Sequence, residues 1–336
     1  MRQLLVSIGV GVALGAAYLS FMLSLKAPVV LTAGTVPSAT GTVPLAVSQS
    51  AAATVSTGAA PSVPSAAPSA RSRTEKRTFD SALLRRKMPY TVWLPPGYDS
   101  RPEQRYPVVY LLHGGGGVNS EWADYGVLDA ADRLMARGAI APLILVLPQG
   151  DQEYWVDHVV DRATGANGEK WGTYTAREVV PEIDRRYRTL AAPAGRAIGG
   201  LSMGGHGALQ LSLNFPGIWN VVGAHSPSLR PVGDAPTYLG TGAEFASRDP
   251  LALIRSRLDV AKTLNYWIDQ GEADPWRTPV GELHDLMLSL GIAHTFKVLP
   301  GDHSLQYWSI HVEEYLRYYA DALCRRPGTC PGPLGR

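Results

Sequence analysis

Two uninterrupted apolar runs, VVYLL (Val108–Leu112) and LILVLP (Leu143–Pro148), set the first constraint on this chain. A strand that is apolar at every position has no face to give to water, so both of its faces must be covered. The first run ends at glycines and the second at Pro148. Helical patterns alternate with them. DAADRLMARG (Asp129–Gly138) has helix formers and a terminal glycine. TAREVVPEIDRRYR (Thr175–Arg188) places Val179, Val180, Ile183 and Tyr187 on one helical face, with Pro181 bending it. PYTVWL, RAIGG, NVVGAHS, YWIDQG and TFKVLPG read as strands; MGGHGALQLSLNF, GELHDLMLSLG and HVEEYLRYYADAL read as helices. This alternation predicts an α/β fold with a mostly parallel central sheet flanked by helices. Functional groups in such a sheet collect at the carboxyl ends of the strands.

The remaining sequence organises around that domain. Leu4–Leu25 carries no charge, is close to a bilayer-spanning length, and is followed by Lys26. Residues 1–31 are therefore expected to be an export segment, either an uncleaved signal anchor or a cleavable signal peptide. Residues 32–77 are rich in Ala, Ser, Thr and Pro, as in AAATVSTGAAPSVPSAAPSA, and lack the large apolar residues that could offset ordering entropy. They read as a disordered linker, leaving 78–324 as the folded domain and 325–336 as a tail. The expected location is exported, extracellular or tethered to the outer face of the cytoplasmic membrane. The membrane is a partner only through the N-terminal segment. A net charge of +2 gives no reason to expect nucleic acid as a partner. The two cysteines, Cys324 and Cys330, are too few for a zinc site, and form either one local bridge or two free thiols.

GLSMG (Gly200–Gly204) lies between a predicted strand and a predicted helix and fits G-x-S-x-G. In a tight strand-to-helix turn, residues two before and two after the serine must lack side chains because backbones approach there. Ser202 would then point outward, and the Met203 N–H at the helix start could face a developing oxyanion. HGGGG (His113–Gly117) directly follows the buried run VVYLL, a place from which a second oxyanion donor can come. No lysine follows these glycines, as a phosphate loop would require. A nucleophilic serine needs a base, and the base needs an orienting acid. His303, in PGDHSLQYW after the strand TFKVL, is the expected base. Asp274, in GEADPW after YWIDQG, is the favoured acid, with Glu272 and Asp269 as alternatives; Asp269 lies within the strand and should point to a sheet face.

LPPGYD, YPVVYLLHGGGG with Trp122 after it, GLSMGGHGAL, GEAD and PGDHSLQYW together resemble the esterase D-like branch of the α/β-hydrolases, over about Pro89 to Leu323. That branch includes feruloyl and acetyl-xylan esterases, S-formylglutathione hydrolases, enterochelin esterases and mycolyltransferases. The resemblance implies an α/β-hydrolase fold, a Ser202–His303–Asp274 triad, and oxyanion donors from Met203 and from Gly114 and Gly115. It also implies no metal or organic cofactor. The expected activity is hydrolysis of a small-molecule or polysaccharide-linked ester through an acyl-enzyme. An envelope acyltransferase of the mycolyltransferase type and a non-catalytic binding module are the alternatives. His113, Trp155, Trp171 and Trp276 are the expected substrate-binding residues, with Trp155 or Trp171 lining the cleft. Ser226–Lys262 reads as a loop or small cap over the site.

Overall fold

The computed structural model describes residues 71–161, 163–166, 168–325 and 330. The predicted export segment, nearly all of the predicted linker and most of the tail lie outside them. One eight-stranded sheet runs in the order β1-β2-β4-β3-β5-β6-β7-β8. Its strands are β1 (Arg73–Ser81), β2 (Arg86–Leu94), β3 (Val108–Leu112), β4 (Ile144–Pro148), β5 (Arg196–Leu201), β6 (Val221–His225), β7 (Asn265–Gly271) and β8 (His294–Leu299). All neighbours from β4 through β8 pair in parallel; β2 alone runs against the rest, pairing antiparallel with β1 and β4.

β1 corrects the boundary expected at Thr78. The chain is already a strand at Arg73, in register with Leu94 of β2. RTEKRTFD reads as polar because β1 is an edge strand whose charged residues face solvent, as edges commonly require.

The helices are α1 (Glu121–Asp124), α2 (Val127–Ala136), α3 (Trp171–Tyr174), α4 (Val180–Arg186), α5 (Met203–Asn214), α6 (Ala243–Ala246), α7 (Pro250–Ser256), α8 (Leu258–Ala261), α9 (Arg277–Ser289) and α10 (Leu305–Cys324). The bend expected at Pro181 is a π-turn over Thr175–Val179 that joins α3 to α4. Proline lacks the N–H that would continue the α ladder, and the wider turn absorbs the missing bond. The segment after β6 is not an open loop. It holds α6 to α8 and buries Leu229, Leu239, Leu253 and Ile254.

The buried strands divide their side chains between two cores by simple alternation. Val108, Tyr110 and Leu112 of β3 face one layer with α4, α5 and α9. Val109 and Leu111 face the other, packed with α2 and α10. The order β4-β3-β5 makes the chain step one way after β3 and the other way from β5 onward. The crevice beyond the ends of β3 and β5 is thus a topological switch point, where such sheets place their ligands.

Candidate active site

Ser202 sits at that crevice, immediately after β5, at φ 51° and ψ −117°. This is a conformation a non-glycine residue holds only when its surroundings over-determine it. The glycines explain how it is held. A Cβ on Gly200 would strike the backbone of Gly204, and one on Gly204 would strike the carbonyl of Leu112. The turn is therefore clamped between the start of α5 and the end of β3. Ser202 N–H donates to the His225 carbonyl at 3.0 Å, and Ser228 N–H donates to the Ser202 carbonyl at 3.0 Å, so β6 and its following loop hold it from the other side.

β7 and β8 bring the partners. His303 Nδ1 meets Asp274 Oδ2 at 3.0 Å, and its Nε2 meets Ser202 Oγ at 2.8 Å. A carboxylate can only accept, so Nδ1 carries the proton and Nε2 is left to accept the serine hydroxyl. The Asp274 side chain is fully buried, and its Oδ1 accepts the Trp276 N–H at 2.8 Å. The His303 side chain is 20% exposed, so the imidazole opens to solvent while its acid does not. The three residues named from sequence are thus within hydrogen-bond reach. Of the alternative acids, Glu272 is exposed and Asp269 lies on the sheet's other face.

The Met203 N–H belongs to the first turn of α5, whose donors the helix itself leaves unsatisfied. Across from it, the two loop glycines differ. Gly114 N–H is engaged by the Glu121 carboxylate at 2.6 Å, so it is not available to an oxyanion, which corrects that expectation. Gly115 is exposed and its N–H has no partner among the described residues. His113 has a different place from the one expected. It is 1% exposed and touches no open cleft. Its Nδ1–H donates to the Gly114 carbonyl at 2.9 Å, and its Nε2 accepts the Gly150 N–H at 3.0 Å. Gly117 N–H also donates to the Gly114 carbonyl, at 3.2 Å. With that carbonyl held, the Gly114–Gly115 peptide plane is fixed and the Gly115 N–H points the opposite way.

Burial pushes the His113 imidazole down to about 4, and does the same to His206 on α5. In an unfolded chain both protonate near 6.5. As pH falls through that window the unfolded state takes up protons that the native state refuses, so stability declines from about pH 6.5 toward 4. Glu121 and Asp249, raised by burial, act the other way through smaller shifts. The two histidines together should remove on the order of 4 kcal/mol between pH 7 and pH 5. Thermal melts at the two pH values are expected to show a lower Tm at pH 5; an equal or higher Tm contradicts this.

Trp155 and Trp171 do not line the cleft. Both are fully buried in the core, Trp155 against Gly207 of α5. Asp151, Tyr154 and Trp155 all have left-handed φ (43°, 51° and 58°), and this turns the indole inward, where Nε1 donates to the His113 carbonyl at 3.2 Å. Trp171 opens α3 with Nε1 on Glu169 at 3.0 Å and Arg86 over its ring. Trp155→Ala should therefore destabilise by about 3–5 kcal/mol, measured by urea unfolding; unchanged stability with altered ester preference would restore the cleft assignment. Trp276 is half-buried, beside Asp274, with the Arg230 guanidinium 4.7 Å from its ring centre. A hollow of about 560 Å³ opens between Val159, Asp161 and Glu169 on one side and Thr237, Tyr238 and Thr241 on the other, with none of Ser202, Asp274 and His303 in its wall.

Sequence reasoning missed one cluster, on the sheet face away from α5. Asp269 is fully buried on β7 and accepts four bonds. They come from His225 Nδ1 (2.6 Å), Trp267 Nε1 (2.7 Å), Tyr307 (2.8 Å) and Tyr315 (3.0 Å). His225 Nε2 accepts in turn from Tyr319 at 2.7 Å. The signal was present as a stripe on α10, Tyr307, His311, Tyr315 and Tyr319, at every fourth position.

A strained serine turn at the switch point of this sheet, with a histidine and an acid brought from the next strands, defines an α/β-hydrolase. A family model described as "Putative esterase" matches residues 81–318. Esterase Rv1288 of Mycobacterium tuberculosis is 33% identical over 135 residues, 40% of this chain and 28% of its own. An endo-1,4-beta-xylanase/feruloyl esterase of Xylanibacter ruminicola is 33% identical over 138 residues, 39% of this chain and 19% of its own. A solved ferulic acid esterase has a TM-score of 0.67 and 27% identity, covering 75% of this chain and 99% of that one. The chain belongs to this esterase family; it spans less than a third of the length of those two curated relatives.

Proposed function

We propose that the protein is a serine carboxylic-ester hydrolase working through an acyl-enzyme on Ser202. The observation that carries this reading is the unbroken line from Asp274 through His303 to the Ser202 hydroxyl. In the first half-reaction His303 Nε2 takes the hydroxyl proton as Ser202 Oγ bonds to the ester carbonyl carbon. The carbonyl electron pair moves onto oxygen, where the N–H groups of Met203 and Gly115 receive it. One such donor is worth about 3–4 kcal/mol at the transition state. Collapse breaks the bond to the alcohol oxygen, which leaves with the proton from His303. Water then repeats the sequence at the acyl carbon and returns the serine hydroxyl. Buried Asp274 stabilises the imidazolium throughout without taking its proton.

For the substrate we propose an ester of an aromatic acid, with Trp276 as the ring beside the acyl group. Support comes from the half-buried indole next to Asp274 and from one relative and one structural neighbour named as feruloyl or ferulic acid esterases. We place the enzyme outside the cytoplasm. The apolar Leu4–Leu25 segment supports this, as does the Cys324–Cys330 disulfide, a bond that persists in oxidising compartments. Methyl ferulate, p-nitrophenyl acetate and p-nitrophenyl butyrate assayed in parallel test the assignment. The expected result is ester cleavage with kcat/KM highest for the feruloyl ester, falling about tenfold in Trp276→Ala. Equal turnover of all three esters by both proteins would remove the aromatic specificity, and no turnover of any would remove the function.

A further inference from the structure

One carboxyl beside Ser202 has no part in the triad. Glu121 opens α1, seven residues beyond Gly114. Its Oε2 accepts the Gly114 N–H at 2.6 Å and its Oε1 accepts the Tyr125 hydroxyl at 3.0 Å. The carboxyl also fills the space beside Gly117, where a Cβ would come within 2.7 Å of it. Trp122, the next residue, donates from Nε1 to the Leu112 carbonyl at 2.9 Å and fixes α1 to the end of β3. The Tyr125 ring lies parallel to Trp308, with centres 6.1 Å apart, and Trp308 meets the His303 ring edge-on at 4.9 Å. One chain of contacts therefore runs from the glycine loop after β3 to the histidine loop after β8.

Electrostatics makes this carboxyl a puzzle. A negative charge close to the point where an oxyanion develops opposes the reaction, and opposes it more in a water-poor site. Glu121 is also held above the usual carboxylate range by burial, so its place in the fold is disfavoured on its own account. An acceptor so placed needs a compensating role. The Gly114 N–H supplies one: no loop carbonyl accepts it, and with Glu121 holding this N–H while His113 and Gly117 hold the Gly114 carbonyl, the residue is fixed on both sides.

We propose that Glu121 is a positioning residue for acyl transfer: its carboxyl pins the Gly114 amide so that the Gly115 N–H faces the oxyanion, and through Tyr125 and Trp308 it sets that loop against His303. The inference rests on Ser202 being the nucleophile.

The test compares Glu121→Ala, Glu121→Gln and Tyr125→Phe in the full chain. Each is assayed for kcat and KM, for Tm, and for inhibition by an aryl trifluoromethyl ketone, whose serine adduct carries the oxyanion. Glu121→Ala is expected to lower kcat about 10²-fold, with KM within threefold and the ketone Ki raised by a similar factor. Glu121→Gln keeps a carbonyl for the Gly114 N–H and should restore kcat to within about fivefold of wild type. If the alanine variant does not fold, Tyr125→Phe decides: it removes one of the two anchors of the carboxyl, and should lower kcat severalfold while raising the ketone Ki in step. A folded alanine variant with wild-type kcat, a loss confined to KM, a glutamine variant as damaged as alanine, or a phenylalanine variant unchanged in both kcat and Ki would each overturn the proposal. Wild-type protein that neither cleaves esters nor binds the ketone refutes the Ser202 assignment instead.

Discussion

Ser202→Ala should lower kcat by about 10⁴- to 10⁶-fold while leaving the fold intact. In the proposed mechanism the hydroxyl is the atom that bonds to the acyl carbon, and neither His303 nor Asp274 can take its place. The substitution keeps Cβ, the backbone bonds from Ser202 N–H to His225 and from Ser228 to the Ser202 carbonyl, and the start of α5. Its Tm should therefore stay within a few degrees of wild type. His303→Ala should cost nearly as much in kcat, and the double variant should be no worse than Ser202→Ala alone, because the two groups act as one unit. Losses that multiply in the double variant would show that the residues act independently, against the 2.8 Å contact between them.

The second large effect concerns stability rather than rate. Asp269→Asn or Asp269→Ala should destabilise the domain by about 3–5 kcal/mol, because four donors that now share one buried carboxyl lose their acceptor or face an amide that can satisfy only some of them. For a domain of this size that is a fall in Tm on the order of 10 °C. The cluster ties α10 to β6 and β7, and Tyr307 also packs its ring against Gly301, two residues before His303. The loss should extend to kcat, since the loop that carries the base loses one of its supports. Calorimetry on the variants checks the first effect and ester turnover well below Tm checks the second. An Asp269→Asn protein as stable as wild type would make the cluster incidental.

The sheet was legible because its inner strands are apolar without interruption, and nothing but burial on both faces accommodates VVYLL or ILVLP. The meeting of Ser202, His303 and Asp274 was legible because each follows a readable strand and the serine is framed by glycines with no other use. What escaped reading depended on side chains meeting across the fold. Gly114 looked as available as Gly115 until Glu121, on another element, was seen to hold its amide. Trp155 looked like a cleft residue from its place after β4, and only a left-handed φ, which sequence does not announce for tryptophan, turns it into the core. Arg73–Arg77 read as linker because an exposed edge strand shares its charged composition. Asp269 could be sent to a sheet face from its position in β7, yet its four partners come from three different elements.

Covalent capture tests the central claim most directly. The purified protein is treated with a fluorophosphonate, cut with trypsin and mapped by fragment masses. The account predicts one adduct per chain on the peptide Ala197–Arg248, which runs through the uncut Arg230–Pro231 bond, localised to Ser202, and no adduct in Ser202→Ala. An adduct on a different side chain, such as Ser226 or Ser228 of the same peptide, or labelling that persists in Ser202→Ala, would contradict it.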